Sequence, residues 1–305
     1  MIGKAKSLIK LMRLEFYSMP FIVYSLGTLI SFKYNDFFIL KNYIVGYFIL
    51  FLIEVATVLT NEYYDIEADK LNKNVKRFTG GSRMLVENKI SIKELKIIIL
   101  FVIICLIILS PYLFFVTSYS KQVIFLLILG LTLGVGYTAP SLKLSYRRLG
   151  EIDVAFIHGF YVLSCGYVFQ KGILDNVEIL FISVPIFFSS LAGVLLAGIP
   201  DIESDRLVLK KSISVLIGPE KTLTLSMLFS LAAGIAGTLV WQKFITYKLS
   251  YIYLILPIYC IFLILIQYII KKSQKIDFEI DKLILFSMFL IALSSFIPII
   301  LYSLN

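Results

Sequence analysis

The residues best suited to chemistry lie in the stretch 60–70, TNEYYDIEADK, at the end of an apolar run. Asn61, Asp65 and Asp69 recur every four residues, so a helix that continues through them places all three on one face, about 6 Å apart per step. Like charges at that spacing repel unless a cation neutralises them. Oxygen ligands favour a hard ion, and Mg²⁺ binds through one or two carboxylates plus substrate phosphates. The alternative is that these are solvated charges ending a membrane helix.

The acidic pattern occurs a second time. Asp201 and Asp205, in GIPDIESDR, again stand four residues apart directly after a long apolar run. Two acidic faces at equivalent places predict two metal sites facing one polyanion, with chance duplication at membrane edges as the alternative. Cations that could hold phosphate oxygens lie between and after the two motifs. They are Lys73, Lys76, Arg77, Arg83, Lys210 and Lys211.

Two further stretches are candidates for the walls of such a site. FTGGSRML contains Gly80 and Gly81, which let the backbone turn or approach a ligand closely, and a plain turn is an equal alternative. YTAPSLKLSYRRLGE, residues 137–151, places cations beside aromatic side chains. It is either the third wall of a diphosphate site or charge that sets the topology. Its residues of interest are Tyr137, Lys143, Tyr146, Arg147 and Arg148.

Polar residues inside apolar segments are functional candidates. Glu54 precedes Asn61 by seven residues, hence lies on nearly the same helix face and two turns deeper, where it is predicted to line the pocket. His158 is the only histidine, and interhelical hydrogen bonding is favoured for it over substrate contact. Gln170 and Gln267 are the other polar residues of this kind.

The composition is that of a polytopic membrane protein. Hydrophobic residues make up 59% of the chain and charged residues 16%, with a mean hydropathy of +0.91. The net charge of +9 does not indicate nucleic acid, because there is no soluble basic domain to bind it. The three cysteines lie in apolar runs without metal-like spacing, so neither disulfides nor zinc are expected.

Nine apolar segments are long enough to cross a bilayer of about 30 Å, which needs roughly 20 helical residues. The sequence therefore predicts an all-α membrane protein, one domain over residues 1–305, with nine transmembrane helices in a single bundle under cytoplasmic cap loops. The predicted spans are 14–33, 43–62, 95–117, 122–140, 153–171, 178–199, 222–242, 249–270 and 283–303. The basic start is read as an uncleaved anchor rather than a signal peptide. Spans one to four and five to eight hint at an internal duplication.

Charge asymmetry predicts the orientation. With the N-terminus in the cytoplasm, 23 of the 29 Lys and Arg residues lie inside and 6 outside. In a cell membrane, both acidic motifs and the loops around them then face the cytoplasm, and the C-terminus lies outside.

The two acidic motifs, the nine spans and the loops together resemble the UbiA superfamily of intramembrane prenyltransferases over nearly the whole chain. FTGGSRML, YTAPSLKLSYRRLGE and IPDIESDRLVLKKSISVLIG are most similar to the branch of 1,4-dihydroxy-2-naphthoate prenyltransferases of menaquinone synthesis. Two positions depart from the family pattern. Ser141 stands four residues after Tyr137 where the family has Lys, and Lys210-Lys211 replaces the commoner Gly-Lys.

The resemblance implies a helical bundle that holds a polyprenyl diphosphate, with Mg²⁺ on the two aspartate motifs and Arg83 and Lys143 as diphosphate cations. It implies transfer of the prenyl group to an aromatic quinone precursor, in a site whose walls keep water from the carbocation. The predicted catalytic and metal-binding residues are Asn61, Asp65, Asp69, Asp201 and Asp205. The predicted substrate-binding residues are Glu54, Arg77, Arg83, Tyr137, Lys143, Arg147 and Lys211.

Other readings differ in the acceptor or in the activity. The acceptor could instead be a glycerol-based lipid alcohol as in archaeal ether-lipid synthesis, a haem or a 4-hydroxybenzoate. A non-catalytic alternative is a cation or metabolite carrier, but carriers place their sites near the bilayer midplane, whereas these carboxylates cluster at one interface. The expected partners are a prenyl diphosphate, a small aromatic or lipid acceptor and membrane lipid, with no nucleic acid.

Overall fold

The computed structural model describes residues 2–118, 120–140, 142–245 and 250–304, and every regular element within those ranges is helical. A π-helical turn, Ile157–Tyr161, joins the helices Gly150–Phe156 (α7) and Val162–Lys171 (α8) into one rod, Gly150–Lys171. The helices in chain order are α1 (Ile2–Met12), α2 (Ser18–Asn35), α3 (Leu40–Tyr64), α4 (Ile66–Leu71), α5 (Ile92–Val116), α6 (Lys121–Gly136), α7 (Gly150–Phe156), α8 (Val162–Lys171), α9 (Glu178–Ala197), α10 (Ile202–Leu207), α11 (Ile213–Ile217), α12 (Pro219–Phe244), α13 (Ile255–Lys272) and α14 (Ile276–Leu304).

Seven helical rods in the described residues are long and apolar enough to cross a membrane. They are α3, α5, the α7–α8 rod, α9, α12, α13 extended back to Tyr251, and α14. The predicted spans at 14–33 and 122–140 coincide with α2 and α6, which have 18 and 16 residues and are not among the seven. The protein is therefore a multi-pass, all-helical membrane protein, and the count of nine spans stays a prediction.

The helix ends follow local sequence rules. Ser91 and Glu94 form a capping box at the start of α5, in which each side chain binds the main chain of the other residue. Ser120 caps α6, and Ser212 caps α11. Gly172 ends α8 with φ +90°, a conformation that a Cβ would strain.

Small residues let the first and fifth predicted spans pack closely. A Cβ on Gly27 of α2 would lie 2.1 Å from the carbonyl oxygen of Leu163, and one on Gly166 of α8 would lie 2.1 Å from that of Tyr24. Such contacts between backbones are typical of membrane helix pairs, where dispersion rather than water exclusion holds helices together. The two rods thus pack in close backbone contact.

Two short helices meet at one end of the bundle. Helix α4 follows α3 and helix α10 follows α9, and α4 packs against α10. The segment after α4 returns over this end with Gly80 and Gly81 at φ +78° and +69°. The fold therefore brings together the ends of α3 and α9, where the two acidic motifs lie.

Candidate active site

The first acidic motif lies across a break between two helices. Helix α3 ends at Tyr64, and Asp65 has φ −93° and ψ 5° before α4 begins. The hydrogen bonds nevertheless keep a four-residue step, since Asp65 N donates to Asn61 O (2.9 Å) and Asp69 N donates to Asp65 O (2.9 Å). The expectation of one unbroken helix is therefore wrong, but all three side chains still line a single cavity.

The second motif has the same backbone geometry. Asp201 has φ −91° and ψ −1° immediately before α10, and Asp205 N donates to Asp201 O at 2.8 Å. Both aspartates line the cavity that Asn61, Asp65 and Asp69 reach from the other side. The two motifs thus face each other across one space.

The cavity has a volume of about 410 Å³ and is largely apolar away from the carboxylates. Its wall on α3 runs from Tyr47 to Asp65, about 27 Å of helix at 1.5 Å per residue. Glu54 and Asn61 lie on this same face, as their seven-residue spacing predicts. The space therefore extends along α3, with both acidic motifs at one end.

Lys210 neutralises carboxylates from both motifs. Its Nζ lies 2.7 Å from Asp65 Oδ2 and 3.6 Å from Asp205 Oδ1, and its side chain is only 11% exposed. Tyr146 donates a hydrogen bond to Asp65 Oδ1 at 3.3 Å, and Lys210 lies 5.5 Å from the centre of that ring. One lysine thus joins the two halves of the acidic cluster.

The end of α10 explains why Lys210 turns inward. Leu209 has φ +60°, Lys210 N donates to Asp205 O (2.9 Å), and Leu209 N donates to Arg206 O (3.2 Å). This pair of bonds is a Schellman ending, which turns the chain back over the last turn of the helix. The turn returns Lys210 to the carboxylate of Asp205.

Asp201 has a neutral partner, and Asp69 lies against a glycine. Asn72 Nδ2 donates to Asp201 Oδ1 at 2.7 Å, across the interface of α4 and α10. A Cβ on Gly81 would lie 2.2 Å from Asp69 Oδ2, so glycine leaves room for that carboxylate in its present position. Arg83 approaches Asp69 as well, but its guanidinium donates to the main-chain oxygen rather than to the carboxylate.

Burial and mutual repulsion raise the pKa values of these acids. Burial, followed by the charges of Glu62 and Asp65, raises the pKa of Asp69 to about 7. Burial and the neighbouring Asp205 raise the pKa of Asp201 to about 7, and burial raises the pKa of Asp205 to about 6 despite Lys210. One lysine is thus too little positive charge for the cluster.

The donor set fits a hard divalent cation. All five predicted ligands offer oxygen, and the Oδ1 atom of Asn61 is buried without a hydrogen-bond partner. Among the residues that the structure describes, however, no three His, Cys, Asp or Glu side chains are gathered closely enough to enclose one ion. This arrangement suits Mg²⁺ held through one or two carboxylates on each side, with its other positions left to water or phosphate.

The predicted substrate-binding residues divide into two groups. Glu54 and Tyr137 line the cavity, whereas Arg77, Arg83, Lys143, Arg147 and Lys211 do not. Arg77 lies over Phe78, with its main-chain N bonded to Asp281, and Lys143 lies 4.2 Å from the centre of the Tyr146 ring. Arg147 and Lys211 are exposed. These five side chains lie outside the cavity lining of this structure, and their role in substrate binding stays a prediction.

Some cavity residues were missed or given another role. Lys210, rather than the adjacent Lys211, lines the cavity. Arg13 also lines it and donates to Phe78 O at 2.7 Å, although its place before the first span suggested only a topological charge. Asn72, Glu151 and Asp153 were not selected, because only the tertiary fold brings them to the site.

The polar residues within the spans have separate roles. His158 lines the cavity and its Nδ1 bonds Val154 O within the same helix at 2.8 Å, so the expected interhelical bond is wrong for this atom. Gln170 accepts a hydrogen bond from Ile39 N at 2.8 Å. Gln267 donates to Ser226 on α12 at 3.3 Å, which is an interhelical bond.

Two opposed aspartate motifs at the mouth of a helical cavity agree with the family comparison, in which the model of the UbiA prenyltransferase family matches residues 20–301. The chain belongs to the UbiA prenyltransferase family. It is therefore a prenyltransferase, as the resemblance of its motifs implies.

Among curated relatives, the chain is similar to a 1,4-dihydroxy-2-naphthoate octaprenyltransferase of Bacillus subtilis (strain 168). The two are 27% identical over 221 residues, which cover 72% of this chain and 67% of that one. The predicted likeness to the naphthoate branch of the family is confirmed at the level of sequence similarity.

Solved structures share the fold. A UbiA homologue from Archaeoglobus fulgidus bound to GPP and Mg²⁺ matches with a TM-score of 0.60 and 16% identity, over 96% of this chain and 99% of that one. A digeranylgeranylglyceryl phosphate synthase matches with a TM-score of 0.65 and 20% identity, over 96% of this chain and 97% of that one. These likenesses establish the fold.

Proposed function

We propose that this prenyltransferase carries out Mg²⁺-dependent transfer of a polyprenyl group from its diphosphate to an aromatic quinone precursor within the membrane. The observation that carries the proposal is that Asp65 and Asp201, each at a break before a short helix, line one cavity together. The aromatic acceptor is supported by the similarity to the naphthoate octaprenyltransferase of B. subtilis.

Different residues of the protein would hold the diphosphate headgroup and the prenyl chain of the donor. Asn61, Asp65 and Asp69 would hold Mg²⁺ from one side, and Asp201 and Asp205 from the other. Bound Mg²⁺ supplies charge that stabilises the diphosphate as the allylic carbon–oxygen bond breaks. The part of the cavity that extends along α3 away from the carboxylates would hold the isoprenoid chain, and its apolar walls would exclude water from the cation.

Lys210 and Arg13 are the cations placed to contact the diphosphate. Both line the cavity, whereas the loop cations predicted from the sequence do not. In the present structure Lys210 is bound to Asp65 and Asp205. Metal ions on those carboxylates would free its ammonium group to contact phosphate oxygens.

The orientation is part of the proposal. The split of 23 to 6 basic residues supports a cytoplasmic N-terminus and acidic mouth, nine spans and an external Asn305. Cysteines introduced at Arg77 and near Asn305 should then react with an impermeant thiol reagent from opposite sides of the membrane. Labelling of both from the same side would contradict the nine-span topology.

The reaction is tested with purified protein, a labelled prenyl diphosphate and a panel of acceptors. Product is expected with 1,4-dihydroxy-2-naphthoate, should disappear in EDTA and should return with Mg²⁺. If product forms with a glycerol-phosphate lipid alcohol but with no aromatic compound, the proposed acceptor class is wrong. Undiminished turnover in chelator would contradict the metal-dependent mechanism.

A further inference from the structure

A second group of polar atoms faces the cavity from the α7–α8 rod, apart from the five aspartate-motif residues. Asp153 lies in the first turns of α7, is only 6% exposed and lines the cavity. Neither of its carboxyl oxygens has a hydrogen-bond partner. A buried polar atom normally has a partner, so an orphaned carboxyl group facing an internal space points to a ligand that supplies one.

His158 adds a second acceptor on the same wall. Its Nδ1 lies 2.8 Å from Val154 O, and because a carbonyl oxygen cannot donate, Nδ1 carries the proton. In the neutral ring, Nε2 is therefore an unprotonated acceptor. Both residues are cavity-lining and lie five positions apart along one rod.

Both residues line the cavity beside an irregular stretch of the rod. The π-helical turn Ile157–Tyr161 begins one residue before His158, and Val162 N closes it by donating to Ile157 O. Gly159, inside the turn, lies directly against Phe187 of α9, where a Cβ would come within 2.9 Å of the main chain. Such single π turns within α-helices frequently mark functional sites.

An orphaned carboxyl group and an imidazole acceptor that both border the cavity suit a ligand that donates hydrogen bonds. The prenyl diphosphate offers oxygen acceptors and carbon, so it cannot satisfy Asp153 and His158. An acceptor substrate with hydroxyl groups can do so, since each hydroxyl donates one hydrogen bond.

We propose that Asp153 and His158 form the acceptor-binding wall, which binds and orients a dihydroxylated aromatic acceptor through hydrogen bonds from its hydroxyl groups. The proposal rests on the proposed function for the prenyl transfer and specifies which residues select the acceptor. Its position along the cavity also fits, because α7 starts beside Tyr137 at the acidic end and runs inward.

The test separates acceptor binding from donor binding. Steady-state kinetics with geranyl diphosphate, Mg²⁺ and 1,4-dihydroxy-2-naphthoate would compare wild type with Asp153→Asn, His158→Phe and His158→Gln. The first two changes should raise KM for the naphthoate at least tenfold and leave KM for geranyl diphosphate within twofold. His158→Gln, which keeps an acceptor atom near the position of Nε2, should recover most of the loss.

Ser230→Ala is the matched control, because the hydroxyl of Ser230 is also buried and unpartnered but does not line the cavity. It should leave both KM values unchanged. The mono- and di-O-methyl ethers of the naphthoate, measured as competitive inhibitors, should bind wild type at least tenfold more weakly than the parent. That difference should shrink in Asp153→Asn and His158→Phe.

The outcomes distinguish this inference from the proposed function. Product with wild type, but unchanged naphthoate KM in Asp153→Asn and His158→Phe, would overturn the acceptor wall alone. Equal increases in both KM values would also overturn it, because they would indicate a general disturbance of the cavity. No product from any aromatic acceptor with wild type would overturn the proposed function and the aromatic class of ligand together.

Discussion

The two acidic motifs share a backbone but differ in how their charges are balanced. Each begins with an aspartate at a helix break, Asp65 or Asp201, with nearly identical φ and ψ, followed by a six-residue helix. Helix α10 ends in a Schellman turn that sends Lys210 across to Asp65, whereas α4 runs into an extended residue, Asn72, whose amide crosses to Asp201. Each half thus supplies a partner to the other, but only one partner is charged.

The difference extends into the membrane. Eleven residues before Asp65 the cavity wall carries Glu54, and eleven residues before Asp201 it carries Ser190, whose hydroxyl is buried without a partner. Four residues before each aspartate stand Asn61 and Ala197, which also both line the cavity. At these two positions α3 is therefore the more polar of the two helices.

The largest expected effect is on turnover. Asp65→Ala and Asp201→Ala should each lower kcat by about 10²- to 10³-fold, the range for removing one electrostatic contact from a reacting centre. The double variant should be little worse than either, because residues that act as a unit are non-additive. Prenyl transfer by the three variants, each with saturating Mg²⁺, is the measurement.

Glu67→Ala and Glu203→Ala are the matched controls, since they remove exposed carboxylates from the same two short helices. They should retain near wild-type turnover. Activity that falls as far in the controls as in the aspartate variants would mean that helix-end charge, rather than a metal site, explains both motifs.

Replacing Lys210 should lower the stability of the protein, because its charge balances carboxylates from both motifs. Lys210→Met leaves Asp65 and Asp205 buried without their cation, and breaking a buried ion pair costs about 3–5 kcal/mol. The apparent Tm of the metal-free protein should fall, and Mg²⁺ should reduce the deficit because it neutralises the same carboxylates. Lys211→Met, at an exposed position, should leave Tm unchanged. Equal Tm values for the two variants would contradict the role of Lys210.

The equivalent positions deeper in the cavity should also behave differently. Glu54→Gln should raise KM for the acceptor more than KM for the prenyl diphosphate, because Glu54 lies about two turns below Asn61. Ser190→Ala removes a hydroxyl with no partner, so a several-fold smaller change is expected. Two-substrate kinetics would check both variants. Equal changes in both KM values for Glu54→Gln would remove it from the acceptor region.

The acidic cluster predicts how metal binding depends on pH. With pKa values near 7 for Asp69 and Asp201 and near 6 for Asp205, the folded metal-free protein holds protons that the unfolded chain releases near pH 4. Its stability should therefore fall as pH rises from about 4 to 7 and then level off. Mg²⁺ must displace those protons, so the rise in Tm with Mg²⁺ should be larger at pH 8 than at pH 6. A larger rise at pH 6 would contradict these assignments.

The sequence predicted what depends on local spacing and hydropathy. Glu54, Asn61, Asp65 and Asp69 fall on one wall because helical periodicity carries through the break, and the apolar runs mark the helical rods. It did not distinguish Lys210 from Lys211. That choice depends on Leu209 adopting φ +60°, an unusual conformation for a residue with a branched side chain.

Other misses have a tertiary origin. Asn72 and Asp153 reach the cavity only because α4 packs on α10 and α7 packs on α9, and no pattern within one segment encodes those contacts. Arg77, Arg147 and Lys211 were placed in the site by proximity in sequence. Charged side chains on loops gain more from water than from an apolar cavity, so such proximity is a weak guide.

The smallest expected effect concerns Gly81, which lies against the carboxylate of Asp69 in the first motif. Gly81→Ala introduces a Cβ at φ +69°, which costs about 1–2 kcal/mol, and places it against the carboxylate of Asp69. Gly80→Ala has a similar strain at φ +78°, but its nearest neighbours are Asn72 and Val75 at 3.1 and 3.3 Å.

The two alanine variants should therefore lose similar Tm but differ in turnover. The side chain of Asp69 can move away from the new Cβ at little cost in free energy, so Gly81→Ala has little extra effect on stability. The movement nevertheless displaces a proposed metal ligand. For Gly81→Ala we expect the Mg²⁺ concentration that gives half-maximal activity to rise about tenfold, which corresponds to about 1.4 kcal/mol of lost binding free energy. For Gly80→Ala we expect a value close to that of wild type. A titration of turnover against Mg²⁺ for both variants decides the matter. Matching Mg²⁺ curves would mean that Gly81 serves only the turn, and that Asp69 tolerates displacement because it does not bind the metal.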